Sequence, residues 1–407
     1  MKIAISGAGV GGCALAYWLL RYGHEPTLIE VAPQFRAGGY IIDFWGIGYS
    51  IIERMGLLPP VCKAGYQVTQ VRFVDDDGRQ VSGFGVDSIR RMVQDRFTSL
   101  PRGELASVIH DSIKDRAEVL FDNSITALDE DADGVRVSLK SGDERRFDLV
   151  IGADGLHSKV RELVFGPQQQ FERDLDYCVA AFEASGYRPR DELAYVGHAR
   201  PGRQISRFSL RGDRTLFMLV FATSHLEGPV PQSLRERKEV LARVYAGSGW
   251  ETGAIIERLQ HTDDLYFDRV SQISMPTWTR GRIALLGDAA ACVSLLAGEG
   301  TGLAIAEAYV LAGEINRSRG DHLAAFAAYE NRLHEFLDAK QKSARDFART
   351  FAPTTEFGLW LRNQAMKLMA IPKIAELIVG GSLVDEIELP EYEIEADRSE
   401  RGSGSRL

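Results

Sequence analysis

The sequence predicts an α/β fold: a Rossmann-like nucleotide-binding domain assembled from discontinuous segments, an inserted antiparallel-sheet domain, and C-terminal helices. Three observations lead there. Residues 2–30 read as strand, helix and strand within about thirty residues, the size of a compact parallel crossover. Residues 281–302 again run from a short buried strand into a glycine-rich loop and a helix. Between these ends, residues 171–276 change to long alternating stretches, clearest over 207–223, the pattern of antiparallel strands. The boundaries that follow are 1–67, 97–170 and 277–350 for the nucleotide-binding domain and 68–96 with 171–276 for the inserted substrate-binding sheet. A C-terminal helical segment takes 351–394, and the Arg/Ser/Gly/Glu-rich stretch 395–407 reads as a disordered tail.

Composition narrows the function. With 407 residues, 45% hydrophobic and 26% charged, the chain has apolar material for two or three structural units. Its formal charge of −9 argues against a nucleic-acid partner, which is held largely by cationic contacts to phosphates. Cys13, Cys62, Cys178 and Cys292 lie far apart and form no Cys-x-x-Cys pair, so neither a zinc ribbon nor a thiol redox pair is expected. Such sparse cysteine use suits a reducing, cytoplasmic compartment. No metal-ligand spacing appears among the eight histidines. No apolar run reaches membrane-spanning length, and a strand beginning at Lys2 leaves no room for a cleavable leader.

Each element has its own signal. Residues 2–6 and 26–30 are short apolar strands. Residues 10–22 form a helix with Ala14, Leu15, Trp18 and Leu19 on one face. Residues 46–56 read as helix, 68–86 as β-structure around an Asp75-Asp76-Asp77-Gly78 turn, and 103–115 as an amphipathic helix. Strands alternate over 117–150, with a hairpin signal at Asp133-Gly134. A helix over 232–246 covers the antiparallel region. Residues 282–286 return to a buried strand, and helices follow at 300–316, 321–350 and 355–380.

The first chemical motif is Gly7-x-Gly9-x-x-Gly12 with Glu30 closing the second strand. Gly7 permits the strand-to-helix turn, Gly9 lets a pyrophosphate approach the backbone, and Gly12 lets the helix pack on the strand. The pyrophosphate then meets the unpaired N–H groups and positive end of the helix. A carboxylate at Glu30 accepts from ribose hydroxyls and repels a 2′-phosphate, so the ligand is FAD or NAD rather than NADP.

Two more motifs stand at strand ends. Residues 148–161 give a buried strand, a Gly-Ala-Asp-Gly turn with Asp154 and Gly155, and a helix that Ser158 can cap, with Arg161 in its first turns. Residues 281–302 run a strand into Gly287-Asp288, then a loop of small residues with Gly298 and Gly300. Asp288 stands just beyond the carboxyl end of a strand, where open α/β sheets bind ligands.

In this order and spacing, the three segments resemble the group A, p-hydroxybenzoate-hydroxylase-like FAD-dependent aromatic monooxygenases, over nearly the whole chain to about residue 345. Within that family the chain looks closest to the tetracycline-inactivating and polyketide-modifying branch, through Arg36-Ala-Gly-Gly-Tyr-Ile-Ile-Asp43, Pro101-Arg-Gly-Glu-Leu105 and the helix after 355. The resemblance implies that Gly7, Gly9 and Gly12 hold the FAD pyrophosphate and Glu30 the adenosine ribose. It implies that Arg36 and Asp43 lie near the cofactor and that Arg102 reaches it. Asp154 and Gly155 would touch FAD and the visiting NAD(P)H, and Asp288 the ribityl chain. Backbone N–H groups over 296–300, including those of Gly298 and Gly300, would stabilise charge on the reduced flavin, with Glu299 directed outward.

The implied activity is hydroxylation of an aromatic, phenolic or polyketide-like small molecule, with NAD(P)H and O₂ as co-substrates, through a C4a-hydroperoxyflavin. No side chain is assigned a catalytic role. The alternatives are a related flavoprotein oxidase, reductase or halogenase, or a flavin-bound protein that sequesters a ligand with little turnover; a Trp-x-Trp-x-Ile-Pro segment expected of flavin halogenases is missing. The chain departs from the family pattern at Ala291, at Val293 and Leu295 where prolines are usual, and at Thr301-Gly302. Without proline the 292–299 loop is expected to be less restrained. Phe208, Phe217, Met218 and Phe221 are candidate substrate-wall residues, of which alternation turns only about half inward. Apolar Phe357, Leu359, Trp360, Leu368, Met369, Ile371 and Ile374 predict packing of the last helix onto its own chain, as a monomer or weak homodimer.

Overall fold

The computed structural model describes residues 1–35, 39–369 and 387–393. Its first sheet contains β1 (Lys2–Ser6), β2 (Glu25–Ile29), β7 (Glu118–Leu120), β11 (Leu149–Gly152), β17 (Thr279–Arg280) and β18 (Ile283–Leu285), in the order β17-β18-β11-β1-β2-β7. All neighbours are parallel except β17. Register does the functional work. Ser6 pairs with Ile29 on one side and Gly152 on the other, and Gly152 pairs with Leu285. The residues that follow these strands, Gly7, Glu30, Ala153-Asp154 and Leu286-Gly287, therefore emerge together at the carboxyl edge of the sheet.

Helix α1 (Val10–Arg21) crosses between β1 and β2, and α10 (Gly300–Arg317) packs beside it. Both are apolar almost all round, as expected of helices buried between layers. Around them lie α2 (Gly46–Arg54), α3 (Leu58–Ala64), α5 (Arg102–Asp111), α6 (Lys159–Val164), the single turn α9 (Asp288–Ala291) and the long α11 (His322–Phe351). Strands β3 (Ile41–Phe44) and β6 (Thr98–Pro101) form a small antiparallel pair that sets Asp43 opposite Ser99. A meander of β8 (Ile125–Asp131), β9 (Gly134–Leu139) and β10 (Glu144–Phe147) contains the expected hairpin, its turn tied by Asp131 accepting the N–H groups of Asp133 and Gly134.

A seven-stranded sheet holds β4 (Gln70–Val74), β5 (Gln80–Gly85), β12 (Glu172–Ser185), β13 (Ala194–Arg200), β14 (Arg203–Leu210), β15 (Arg214–Ala222) and β16 (Tyr266–Ile273), in the order β16-β12-β15-β14-β13-β4-β5. One face is covered by α7 (Leu234–Val244) and α8 (Thr252–Gln260). Alternation sorts β15: Phe217, Leu219 and Phe221 pack under these helices, while Leu216, Met218 and Val220 face the other way. That second face meets α4 (Asp87–Met92), the Tyr40–Trp45 stretch and the 295–296 loop. Phe208 and Met218 thus lie on the side expected for substrate. Phe217 and Phe221 do not; they are core beneath the helix layer.

Several expectations shift. The helix read over 103–115 spans Arg102–Asp111. Helix α8 went unread, because only Ile255 and Leu259 mark its buried face within a region dominated by strands. Of the helix expected over 355–380, residues 370–380 lie outside the described ones, which contain α12 (Glu356–Met369). It docks on the sheet through polar groups: buried Arg362 donates to Gln204 Oε1 at 2.8 Å, and Ser82 donates to Asn363 Oδ1 at 3.1 Å. Phe357, Trp360 and Leu368 are exposed, against the expectation that they pack inward, while Ile371 and Ile374 lie outside the described residues. Residues 387–393 carry no helix. They return to α10, where Tyr392 donates to Glu314 Oε1 at 2.7 Å and Tyr309 donates to Pro390 O at 2.8 Å. The expected disordered tail, 395–407, lies outside the described residues. Among the described residues, no helix is long and apolar enough to cross a membrane.

Candidate functional site

The glycine turn is built as its spacing requires. Gly7 has φ +100°, and a Cβ there would come within 2.6 Å of Ala153 O. A Cβ on Gly12 would lie 2.1 Å from Gly7 O, so the helix can close on the strand only with glycine at this position. Gly9 differs: nothing lies within 4 Å of its Cβ position, and no side chain caps α1. The front of this helix is therefore open space bordered by unpaired N–H groups, which fits a diphosphate. Glu30 fastens the loop beside it, accepting from Ala8 N at 2.8 Å and Ala32 N at 2.9 Å. Each carboxylate oxygen keeps lone-pair capacity for a further donor.

Asp154 organises the second turn. It accepts from Ser158 Oγ at 2.5 Å, Lys159 N at 2.9 Å, Val160 N at 3.2 Å and Ser6 Oγ at 3.2 Å. Its carboxylate thus ties the end of β1 to the start of α6, and Gly155 follows with φ +79° and open space at its Cβ position. Arg161 is fully buried. It donates to Leu156 O at 2.6 Å, Gln168 Oε1 at 3.0 Å and Ala289 O at 3.0 Å, which joins the second turn to the third. Burial holds its guanidinium below the ordinary arginine range. Exposed His157 bonds Asp268 at 2.9 Å on the surface beside this turn.

In the third turn, Gly287 takes φ +65° and Asp288 opens α9. Asp288 Oδ1 is 3.5 Å from the Cβ position of Gly300, so the aspartate stands at the N-terminus of α10. Arg102, half-buried at the start of α5, has Tyr40, Asp288, Tyr266 and Cys292 as its charged or ionisable neighbours. Among the described residues no carboxylate lies within ion-pair distance of it. A half-buried cation without a direct partner, facing Asp288, suits an anionic or strongly polar ligand group. Asp43 accepts hydrogen bonds from Ser99 Oγ and, at 3.3 Å, from Tyr195 OH. Burial pushes its carboxyl above the ordinary carboxylate range, against the effect of these two bonds. A small cleft is lined by Asp43, Trp45, Gly298, Glu299, Gly302 and Leu303. Arg36 lies outside the described residues.

Two expectations about the 292–299 loop are corrected. Glu299 does not point outward: it pairs with Lys340 of α11 at 3.0 Å and is only 21% exposed. Nor is the loop loosely held. Gln272 Nε2 donates to Val293 O at 2.6 Å, and Gln341 Nε2 donates to Cys292 O at 3.0 Å, so buried amides restrain the backbone where proline is missing.

Sequence reasoning also passed over Glu307 and Tyr329. Buried Glu307 accepts Gly287 N–H at 2.7 Å, and burial pushes its carboxyl up to about 8. Tyr329 Oη stands 3.1 Å from both Glu307 Oε2 and Leu285 O. The available signal was a carboxylate inside an otherwise apolar helix, and a glutamine on the apolar stripe Leu333, Leu337, Gln341, Ala344.

A parallel sheet with a glycine turn, an acidic second-strand end and an aspartate at a later strand end defines a dinucleotide-dependent enzyme with a second sheet facing its site. Residues 1–322 match the family described as FAD binding domain. A flavin-dependent monooxygenase from an unknown prokaryotic organism is 34% identical, over 97% of this chain and 99% of its own. One from Legionella longbeachae is 33% identical, over 97% and 98%. The crystal structure of tetracycline destructase Tet(51) superposes with a TM-score of 0.81 at 28% identity, covering 96% of this chain and 99% of its own. The chain belongs to the FAD-binding flavin-dependent monooxygenases. It is an enzyme, its cofactor is FAD, and it acts on a small molecule and O₂.

Proposed function

We propose that the enzyme uses NAD(P)H and O₂ to hydroxylate an aromatic, phenolic or polyketide-like small molecule in the cytoplasm. The observation that carries this reading is the convergence of Gly7–Gly12, Glu30, Asp154–Gly155 and Asp288 at one sheet edge, together with a cleft lined by Asp43 and Trp45, of which Asp43 accepts from Tyr195 of the second sheet. The similarity to a tetracycline destructase supports the polyketide-like class. On this reading the discontinuous segments 1–67, 97–170 and 277–350 bind FAD, and 68–96 with 171–276 form the substrate wall.

Bound FAD supplies the redox chemistry that divides O₂ between product and water. The chain supplies the rest. Gly7, Gly9 and Gly12 receive the diphosphate at the front of α1, and Glu30 accepts from the adenosine ribose. Asp288 and Arg102 hold the polar chain between ribose and ring. Asp43 stands near the cofactor, and Asp154 with Gly155 forms the turn that a nicotinamide visits. N–H groups at Gly298 and Gly300 stabilise negative charge beside the ring. Tyr195, Phe208, Met218 and Tyr266 exclude water from the substrate side.

The test is aerobic NAD(P)H consumption by the FAD-loaded enzyme across phenols and polyketides. A substrate that accelerates consumption and leaves as a hydroxylated product supports the proposal. Reoxidation to hydrogen peroxide alone with every substrate that stimulates consumption overturns it.

A further inference from the structure

Helix α12 brings a buried cation to the second sheet. The helix packs on β5 and β13, and Arg362 is buried beneath it. Arg362 Nη1 donates to Gln204 Oε1 at 2.8 Å and to Phe351 O at 3.0 Å, and Nη2 donates to Asn363 Oδ1 at 3.2 Å. Its guanidinium carbon stands 4.2 Å from the centre of the Phe73 ring. Each of these partners is neutral. Among the described residues the buried Nε has no acceptor, and no carboxylate lies within ion-pair distance. Burial lowers the group to about 10, with no neighbouring charge to offset it, so Arg362 is still a cation at neutral pH. An unneutralised charge and an unused donor, both held away from water, suit an anionic acceptor.

Strand register relates this charge to the cleft. Gln204 pairs with Val220 and Ala199, and Phe73 pairs with Gly197, which pairs with Ser206 and through it with Met218. Gln204 and Phe73 therefore lie on the face of Met218 and Val220, turned away from α7 and α8. Tyr195 lies on the same face and reaches Asp43 at the cleft. Ala199, opposite Gln204, follows four residues along β13 from Tyr195, about 13 Å at the rise of a strand. Tyr195, Ser206 and Met218 are only half-buried, whereas Phe208 and Val220 beside them are buried. The least filled strip of this face thus runs from the cleft toward Gln204 and Arg362, and a flat polycyclic molecule is long enough to cover it.

We propose that Arg362 is a specificity-determining residue: it receives an oxyanion, a carboxylate or an ionised enol, carried by an extended substrate at the end remote from the carbon that is hydroxylated. This rests on the reading that the flavin lies by Asp43 and the substrate against the second sheet. The oxyanion accepts from the unused guanidinium N–H and neutralises the buried charge; a neutral group of the same shape does not neutralise it.

The test compares a hydroxyanthraquinone that carries a carboxylate on the ring farthest from its hydroxyl with the methyl ester of the same molecule. Kd is read from the change in absorption of enzyme-bound FAD, and KM and kcat from NAD(P)H consumption. Wild type is expected to bind the acid at least about tenfold more tightly than the ester. Arg362→Gln should bring the two within about twofold by weakening the acid alone. The loss should fall on KM rather than kcat, because the charge lies far from the reacting carbon. Gln204→Glu keeps an acceptor for Nη1 and supplies the missing negative charge from the protein itself. It should abolish the preference for the acid while the melting temperature holds or rises. A role confined to docking α12 gives the opposite pattern: Arg362→Gln weakens acid and ester equally, and Gln204→Glu leaves their ratio as in wild type. Either of these results overturns the inference. If both probes bind wild type alike and accelerate NAD(P)H consumption alike, the inference fails while the reading of the site stands. If neither probe perturbs the bound flavin of wild type, the reading of the site has failed and takes the inference with it.

Discussion

Glu307, buried in α10, accepts the backbone N–H of Gly287 at 2.7 Å. It thereby fixes the turn that presents Asp288. With a proton on Glu307, Tyr329 can accept from it and donate to Leu285 O, so every group in this pocket is satisfied. Burial favours that neutral form, pushing the carboxyl up to about 8.

The sign of the pH dependence follows. The folded protein keeps a proton on Glu307 that the unfolded chain releases in the ordinary carboxylate range. Stability from this group is present at low pH and declines as pH rises from that range to about 8. Glu307→Gln preserves the bond to Gly287 and should remove this slope from a series of thermal melts. Glu307→Ala should cost about 1–3 kcal/mol and weaken FAD binding.

Gly9 and Gly12 should respond differently to the same substitution. Gly12→Ala places a methyl 2.1 Å from Gly7 O, and apoprotein stability should fall by about 3 kcal/mol. Gly9→Ala has open space around it and should leave the melting temperature of the apoprotein within about 1 °C. Its methyl fills the diphosphate cradle, so FAD affinity should drop more than about tenfold. Titration of apoprotein with FAD, followed by quenching of flavin fluorescence, separates the two.

Arg161 joins two turns through Leu156 O and Ala289 O. Arg161→Met should destabilise the fold by about 3 kcal/mol, because it strips charged donors from buried carbonyls. Denaturant unfolding with the slope unchanged would check this.

Arg102 carries the opposite expectation. Its guanidinium has no carboxylate partner within ion-pair distance among the described residues, so Arg102→Met should leave apoprotein stability equal or slightly raised. FAD affinity should nonetheless fall at least about tenfold. Calorimetric titration beside a melt of the apoprotein reads both.

These contrasts explain how much was legible in the chain. The βαβ unit, Glu30 and Asp288 are local patterns, each within a few residues of a strand end, and parallel register brings them together automatically. Lys340 and Glu299, or Gln341 and Cys292, meet only through the path of α11 over the loop, which no local period encodes. The absence of proline at Val293 and Leu295 was visible; the glutamines that replace its effect come from β16 and α11. In α12 the apolar residues suggest the packing face, yet Arg362 and Asn363 make the polar contact with the sheet, because the facing strands offer Gln204 and Ser82.

The central claim is most directly tested by the origin of the oxygen in the product. FAD-loaded enzyme, NAD(P)H and a stimulating substrate are incubated under isotopically heavy O₂ in ordinary water, and the product is weighed by mass spectrometry. One heavy oxygen atom per turnover is the predicted result. A product that carries only oxygen from water, or none added at all, would contradict the account.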